Sequence, residues 1–158
     1  MHIPDGFISA PVAVGAAVVA VAGVTVAVRG ARRTLDDRTA PLAGLVAVFL
    51  FAAQMINFPV GAGTSGHLIG AALAAILVGP YAADLALTVV LLVQALLFAD
   101  GGLTALGLNI VNMAIIGTVV AWFVFRGVVR TFGPGRTSVF AGAWLAGLLS
   151  VLGAVTGF

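Results

Sequence analysis

Along this chain, long uncharged and mostly apolar stretches alternate with short charged clusters. The spacing is that of membrane helices, which need roughly 20 predominantly apolar residues each. Residues 11–28 carry no charge and form a first candidate span. Arg29, Arg32, Arg33, Asp36, Asp37 and Arg38 follow, and the next charged residue is Asp84. The uncharged stretch between them is too long for one helix and barely enough for two. In its middle, Pro59, Gly61, Gly63 and Gly66 stop a helix. Span two is therefore read as residues 40–56 and span three as residues 67–78. The short third span, beside a Gly/Pro break, suggests backbone dipping into protein-lined membrane depth.

Gly79-Pro80 then makes a turn or kink. Span four is read as residues 85–98, with Asp84 at its inner end, and Asp100-Gly101-Gly102 interrupts it. Span five covers residues 103–125 and carries Asn109 and Asn112. Arg126, Arg130 and Arg136 follow around Gly133-Pro134-Gly135, and residues 137–158 give span six. The expected fold is all-α: a polytopic bundle of about six transmembrane helices with a Gly/Pro-rich loop between helices 2 and 3. Residues 1–158 form one integral-membrane domain.

Composition supports this pattern. Hydrophobic residues make up 62% of the 158 and charged residues 8%, against about 25% charged in a soluble domain. Lipid must solvate most of such a surface. The net charge of +2 does not signal nucleic acid, because its source is arginine confined to two clusters. Arginine-rich loops stay cytoplasmic, so both clusters lie on one side. An even number of crossings must separate them, and the six-span reading gives four. A single kinked helix over residues 67–98 would give three. The start, Met1-His2-Ile3-Pro4-Asp5-Gly6, does not read as a cleavable signal, which opens with positive charge.

Topology gathers the polar residues. The N-terminus, residues 57–67 and the Asp100 loop all fall outside, which brings His2, His67, Asn57 and Asp100 to one face. The chain has no cysteine, so thiolate and disulfide chemistry are excluded. The remaining donors are histidine, carboxylate, peptide nitrogen and the α-amine. A free α-amine titrates near 7.7–8.0 (about that of model peptides), so part of it is unprotonated at neutral pH. The amine of Met1, the peptide nitrogen of His2 and the His2 ring can close two fused chelate rings. His67, the only other histidine, completes a nitrogen plane. That geometry suits Ni(II), Cu(II) or Co(II) and departs from zinc's tetrahedral preference. Any residue added before Met1 should destroy the site.

Other polar residues have two readings each. Asp5 reads as a turn with Pro4 and Gly6, or as a partner for His2. Gln54, Asn57, Thr64 and Ser65 either satisfy backbone freed by the broken helix or support the ligands and gate the site. Asp100 reads as a cap for span five with Gly101-Gly102 a flexible linker, or as a supporting residue of the site. Asn109 and Asn112 lie three apart on a helix, which points to interhelical hydrogen bonds. The small residues Ala13, Ala16, Ala17 and Ala20 permit close packing, internal or against a partner. No acid–base pair, nucleophile elbow or Walker A motif is present, so the chain is not read as an enzyme. The competing reading is a membrane scaffold or channel subunit with incidental histidines.

Several segments resemble a known family. Met1-His2-Ile3-Pro4-Asp5-Gly6-Phe7-Ile8-Ser9, Gln54-Met55-Ile56-Asn57-Phe58-Pro59-Val60, Gly63-Thr64-Ser65-Gly66-His67-Leu68, Gln94 to Gly102 and Asn109-Ile110-Val111-Asn112-Met113 are similar to the CbiM/NikM-type substrate-binding subunits of energy-coupling-factor cobalt and nickel transporters. The resemblance implies Met1, His2 and His67 as ligands for Co(II) or Ni(II), carried as substrate. It implies a transmembrane coupling subunit and a cytoplasmic ATPase pair as partners, with a further small membrane subunit in cobalt members. It implies a bacterial inner membrane with the N-terminus outside. Family members run longer, which reads as a shortened C-terminus here. The sequence does not separate cobalt from nickel.

Overall fold

A computed structural model describes residues 2–61 and 64–157, with the side chains of residues 59–61, 64 and 65 excepted. Among the described residues, the regular structure is helical apart from one small hairpin. Helix α1 spans Ala10–Thr34 and α2 spans Thr39–Gln54. Strands β1 (Phe58–Gly61) and β2 (Thr64–Gly66) pair antiparallel, with Phe58 opposite Gly66. Helix α3 spans Ala71–Leu97. A continuous helical segment follows: α4 (Leu106–Asn109), a π-helical turn (Ile110–Ile116) and α5 (Gly117–Phe132). Helix α6 spans Arg136–Val155.

Among the described residues, four helical segments are long and apolar enough to cross a membrane: Ala10–Thr34, Ala71–Leu97, Leu106–Phe132 and Arg136–Val155. Six were expected, and two features account for the difference. The stretches read as spans three and four are one interrupted helix, and α2 is shorter than a full span. The Gly/Pro-rich segment is a hairpin where an open loop was expected, because Phe58 and Gly66 find backbone partners across it.

The interruption in α3 is a reversal. Gly79 has φ 80 and ψ 166, outside helical space, and Pro80 follows it. Glycine tolerates that φ without a Cβ clash, and proline lacks the N–H a continuing helix would use. A straight helix of 27 residues would be about 40 Å long. Yet His67, just before α3, and Asp100, just after it, both touch His2. The two arms of α3 therefore fold back on each other. Gly30, near the end of α1, lies directly against the Tyr81 ring with no room for a Cβ. The turn of α3 thus sits at the arginine end of α1, and Asp84 lies at that end too.

Close glycine contacts set the other helices. Gly107 packs against the backbone of Ala16 and Ala17, and Gly23 against Ile115. Helix α1 and the segment Leu106–Phe132 therefore run side by side in the same direction. The small residues of α1 serve internal packing at Ala16 and Ala17. Gly157, after α6, meets the Asn112 side chain, so α6 returns to the His2 end. Both arginine clusters lie at the opposite end. The core between the helices is built from Leu50, Leu87, Leu91, Met113 and a set of buried alanines.

Candidate metal centre at the N-terminus

The site begins with the N-terminal segment laid on a glycine loop. The Ile3 N–H donates to Asn109 Oδ1 at 2.9 Å, and Asn109 Nδ2 donates to the Ile3 carbonyl at 3.2 Å. The Gly102 N–H donates to the same carbonyl at 2.9 Å. Asp5 Oδ1 accepts from the Thr104 N–H at 2.8 Å and from the Thr104 hydroxyl at 2.5 Å. Those bonds hold the Asp5 carboxyl below the usual carboxylate range. A Cβ on Gly102 would meet Pro4 and Asp5 backbone, and one on Gly101 would lie 3.1 Å from the His2 Cβ. Gly101-Gly102 is therefore a docking surface for the N-terminus, and the flexible-linker reading is corrected. Asp5 reads as a turn residue that ties this segment to Thr104. Its carboxylate faces Thr104 and not His2.

His2 is held from two sides. Its Nδ1 lies 3.0 Å from Asp100 Oδ1, and its ring stacks on His67 with centroids 4.7 Å apart and an interplanar angle of 24°. Asp100 is thus a partner of His2, which overturns its reading as a helix cap. His67 Nδ1 donates to the Leu68 carbonyl at 2.9 Å. That bond places the proton on Nδ1 and leaves the lone pair on Nε2. Burial lowers the proton affinity of both rings, against the opposing pull of Asp100 on His2. His67 is pushed down to about 4, with burial the largest cause. Both shifts favour the neutral imidazole, which is the state that ligates metals.

A group of polar atoms at this place is buried without a partner: Nε2 of His2, Nε2 of His67, Oε1 of Gln54, Oδ2 of Asp100 and both amide atoms of Gln94. Buried polar groups in native proteins are nearly always paired, so such a group marks a place for a guest. Gln54 is anchored by its Nε2 on the Ile69 carbonyl at 2.8 Å. Gln94 adjoins the His2 ring closely enough to influence its proton affinity. Among the described residues, no three His, Cys, Asp or Glu side chains gather as a metal cage. A metal here needs main-chain nitrogen as well.

The structure brings together His2, His67 and Asp100 from the sequence-expected set, and bonds Gln54 to Ile69, two residues after His67. Asn57 is exposed. Met1, and the side chains of Thr64 and Ser65, lie outside the described residues. Two functional amides had no such role in the sequence reading. Asn109 was assigned to helix pairing and instead clamps Ile3. Gln94 was given no role, although an amide inside an apolar run is costly in lipid and is itself a signal.

The sequence profile of the CbiM family, described as the cobalt uptake substrate-specific transmembrane region, matches residues 2–158. The chain belongs to the CbiM family. Among its relatives, a putative fused nickel transport protein NikMN of Archaeoglobus fulgidus is 42% identical over 96% of this chain and 50% of its own length. A cobalt transport protein CbiM of Geobacter sulfurreducens is 41% identical over 95% of this chain and 43% of its own. This CbiM-family chain therefore spans about half the length of these relatives. A crystal structure of a transition metal transporter superposes with a TM-score of 0.90 at 33% identity, covering 99% of this chain and 67% of that one.

Proposed function

We propose that this chain is the substrate-specific membrane subunit of an ATP-driven cobalt or nickel uptake transporter. It captures the divalent ion at the outer face through the Met1 amine, the peptide and Nδ1 nitrogens of His2, and Nε2 of His67. The observation that carries this reading is the stacked pair of buried imidazoles at the N-terminus, with Nε2 of His67 left without a partner. His67 offers its lone pair at Nε2 because Nδ1 is taken by Leu68. The small chelate ring through the His2 peptide nitrogen closes only on Nδ1, so the incoming ion displaces Asp100 from that atom. Four nitrogens in a plane suit Ni(II) and Co(II).

The reversal in α3 supports the orientation. Its two arms count as separate membrane segments, giving six in all and four between the arginine clusters. Both clusters then face the cytoplasm and the site faces outward across the inner membrane. Inward release draws on ATP hydrolysed by a cytoplasmic ATPase pair through a transmembrane coupling subunit, with a small accessory membrane subunit in the cobalt case. The hairpin of β1 and β2, next to His67 in sequence, acts as the gate.

The test is metal analysis of protein purified with a free Met1 amine. About one Co(II) or Ni(II) per chain is expected, with binding abolished by one residue added before Met1 or by His67→Ala. Binding that survives both changes overturns the reading.

A further inference from the structure

At the arginine end of the bundle, α5 and α6 enclose a groove of about 480 Å³, lined by Val128, Phe132, Gly135, Ser138, Ala141 and Leu145. Its origin is local. Gly142 lets the two helices close, since a Cβ there would lie 3.2 Å from the Phe125 ring and 3.4 Å from Val128. Nearer the turn, the small side chains of Ala141 and Ser138 leave space unfilled. The mouth is fixed by Ser138, whose Oγ accepts the Gly135 N–H at 3.0 Å and meets the Gly135 carbonyl at 2.9 Å. Ser138 is satisfied by the turn, so the groove below the mouth selects for apolar shape.

Charge at the mouth has one sign. No Asp or Glu follows Asp100 in the sequence, whereas Arg126, Arg130 and Arg136 do. Asp36 and Asp37 sit between α1 and α2, and neither helix packs on α5 or α6. Among the described residues, none of the three arginines is in an ion pair. Arg136 stands between Gly135 and Thr137, both of which line the groove. Arg126 lies over the Trp122 ring. At 3.6 residues per turn, Arg126 and Arg130 share the face of α5 turned away from Val128 and Phe132. Arg136 is therefore the cation of the groove. An apolar slot below an uncompensated arginine at the membrane border matches an anionic phospholipid. A partner's helix fits poorly: at about 10 Å across and 5.4 Å per turn it fills roughly 400 Å³ per turn, so the groove seats a single turn.

We propose that this groove binds one anionic glycerophospholipid, with its phosphate on Arg136 and an acyl chain against Val128, Ala141 and Leu145. The lipid ties the ends of α5 and α6 together at the membrane border. Under the orientation proposed above, that border is the inner leaflet. The site lies at the opposite end of the bundle from the histidines and does not depend on metal capture.

Native mass spectrometry of the purified chain in neutral detergent reads the site directly. Phosphatidylglycerol and phosphatidylcholine with the same acyl chains are added at equal concentration. One phosphatidylglycerol per chain should be retained in preference to phosphatidylcholine. Arg136→Gln should cut that preference by about fivefold, whereas Arg130→Gln, on the far face of α5, should leave it unchanged. Ala141→Phe fills the groove and should remove the retained lipid, with circular dichroism confirming the fold. Phosphatidylglycerol should also raise the melting temperature of the wild type, and raise it less in Arg136→Gln. Equal retention of the two lipids overturns the proposal. Equal losses in Arg130→Gln and Arg136→Gln also overturn it, because they would mean a general attraction to the basic end. So does a wild type that retains no lipid, and if Ala141→Phe then blocks assembly with a membrane partner, the groove belongs to a partner helix. Should Ala141→Phe fail to fold, the two arginine variants decide.

Discussion

His67 lies flat against His2, ring on ring at 4.7 Å, although 65 positions of sequence separate the two residues. The stack depends on three supports with separate origins: the Asp100 contact to His2, the Leu68 carbonyl on His67, and the docking of the N-terminal segment.

The Asp100 support can be removed without changing shape. Asp100→Asn keeps the size of the side chain and loses the charge that holds His2 Nδ1. In the proposed site the ion displaces Asp100 from Nδ1, so the change removes a competitor and Ni(II) binding should be kept or tightened. Helix content should not change. Isothermal titration with Ni(II) or Co(II) and circular dichroism on the same sample check both halves.

The N-terminal support should fail in Asn109→Ala. The change leaves the buried Ile3 N–H unpaired, a cost of about 1–3 kcal/mol, and takes one of two donors from the Ile3 carbonyl, which keeps the Gly102 N–H. Undocking the segment avoids that cost, so the expected result is a mobile N-terminus on an otherwise intact bundle. Hydrogen exchange at Ile3 should rise, and metal affinity should fall by about tenfold for each 1.4 kcal/mol of docking lost.

Gly102→Ala tests the same contact from the opposite side. The new methyl would run into Pro4 and Asp5 backbone, which cannot yield as a side chain tip would. Gly15→Ala, at a glycine with open space around it, is the control. Metal binding should be lost in the first and kept in the second, measured in parallel preparations.

The pH dependence of stability follows from the histidines. His67 titrates at about 4 in the folded protein against 6.5 in the unfolded chain, and His2 is shifted in the same direction. Between those values the unfolded chain binds more protons, so stability falls as pH drops through the window from 6.5 to about 4. For His67 alone the loss approaches about 3 kcal/mol at the low end. Asp5 and Asp36, held low by their hydrogen bonds, add a further loss only below the ordinary carboxylate range. Thermal melts of metal-free protein at several pH values should show the first slope, and His67→Gln should flatten it.

The sequence revealed some of this architecture and hid the rest for physical reasons. Arg29 to Arg38 and Arg126 to Arg136 bound the apolar stretches, and charge in lipid is expensive enough to make such borders readable. Gly79-Pro80 marked the break in α3. Its sense was not readable, because φ and ψ at one glycine decide between a kink and a reversal. The hairpin at Phe58 and Gly66 escaped because strand pairing in so short a segment leaves no periodic signal. At the site, His2 and His67 stood out by being alone in their residue class. Asp100 was readable either as a cap or as a supporting residue of the site, because a carboxylate beside two glycines looks like a cap until the N-terminal segment is seen lying on those glycines. Asn109 and Gln94 were hidden similarly, since their partners come from the other end of the chain.

The Ile3–Asn109 clamp spans 106 positions, and this orders events during biosynthesis. The residues at the N-terminus emerge first, yet the groups that hold them in place are made only after α1, α2 and both arms of α3. Chains fold as they are synthesised, N-terminal parts first, so the bundle must be largely inserted before its own starting segment can dock. Metal competence is acquired late, and a nascent chain stalled before Asn109 carries both histidines but no finished site.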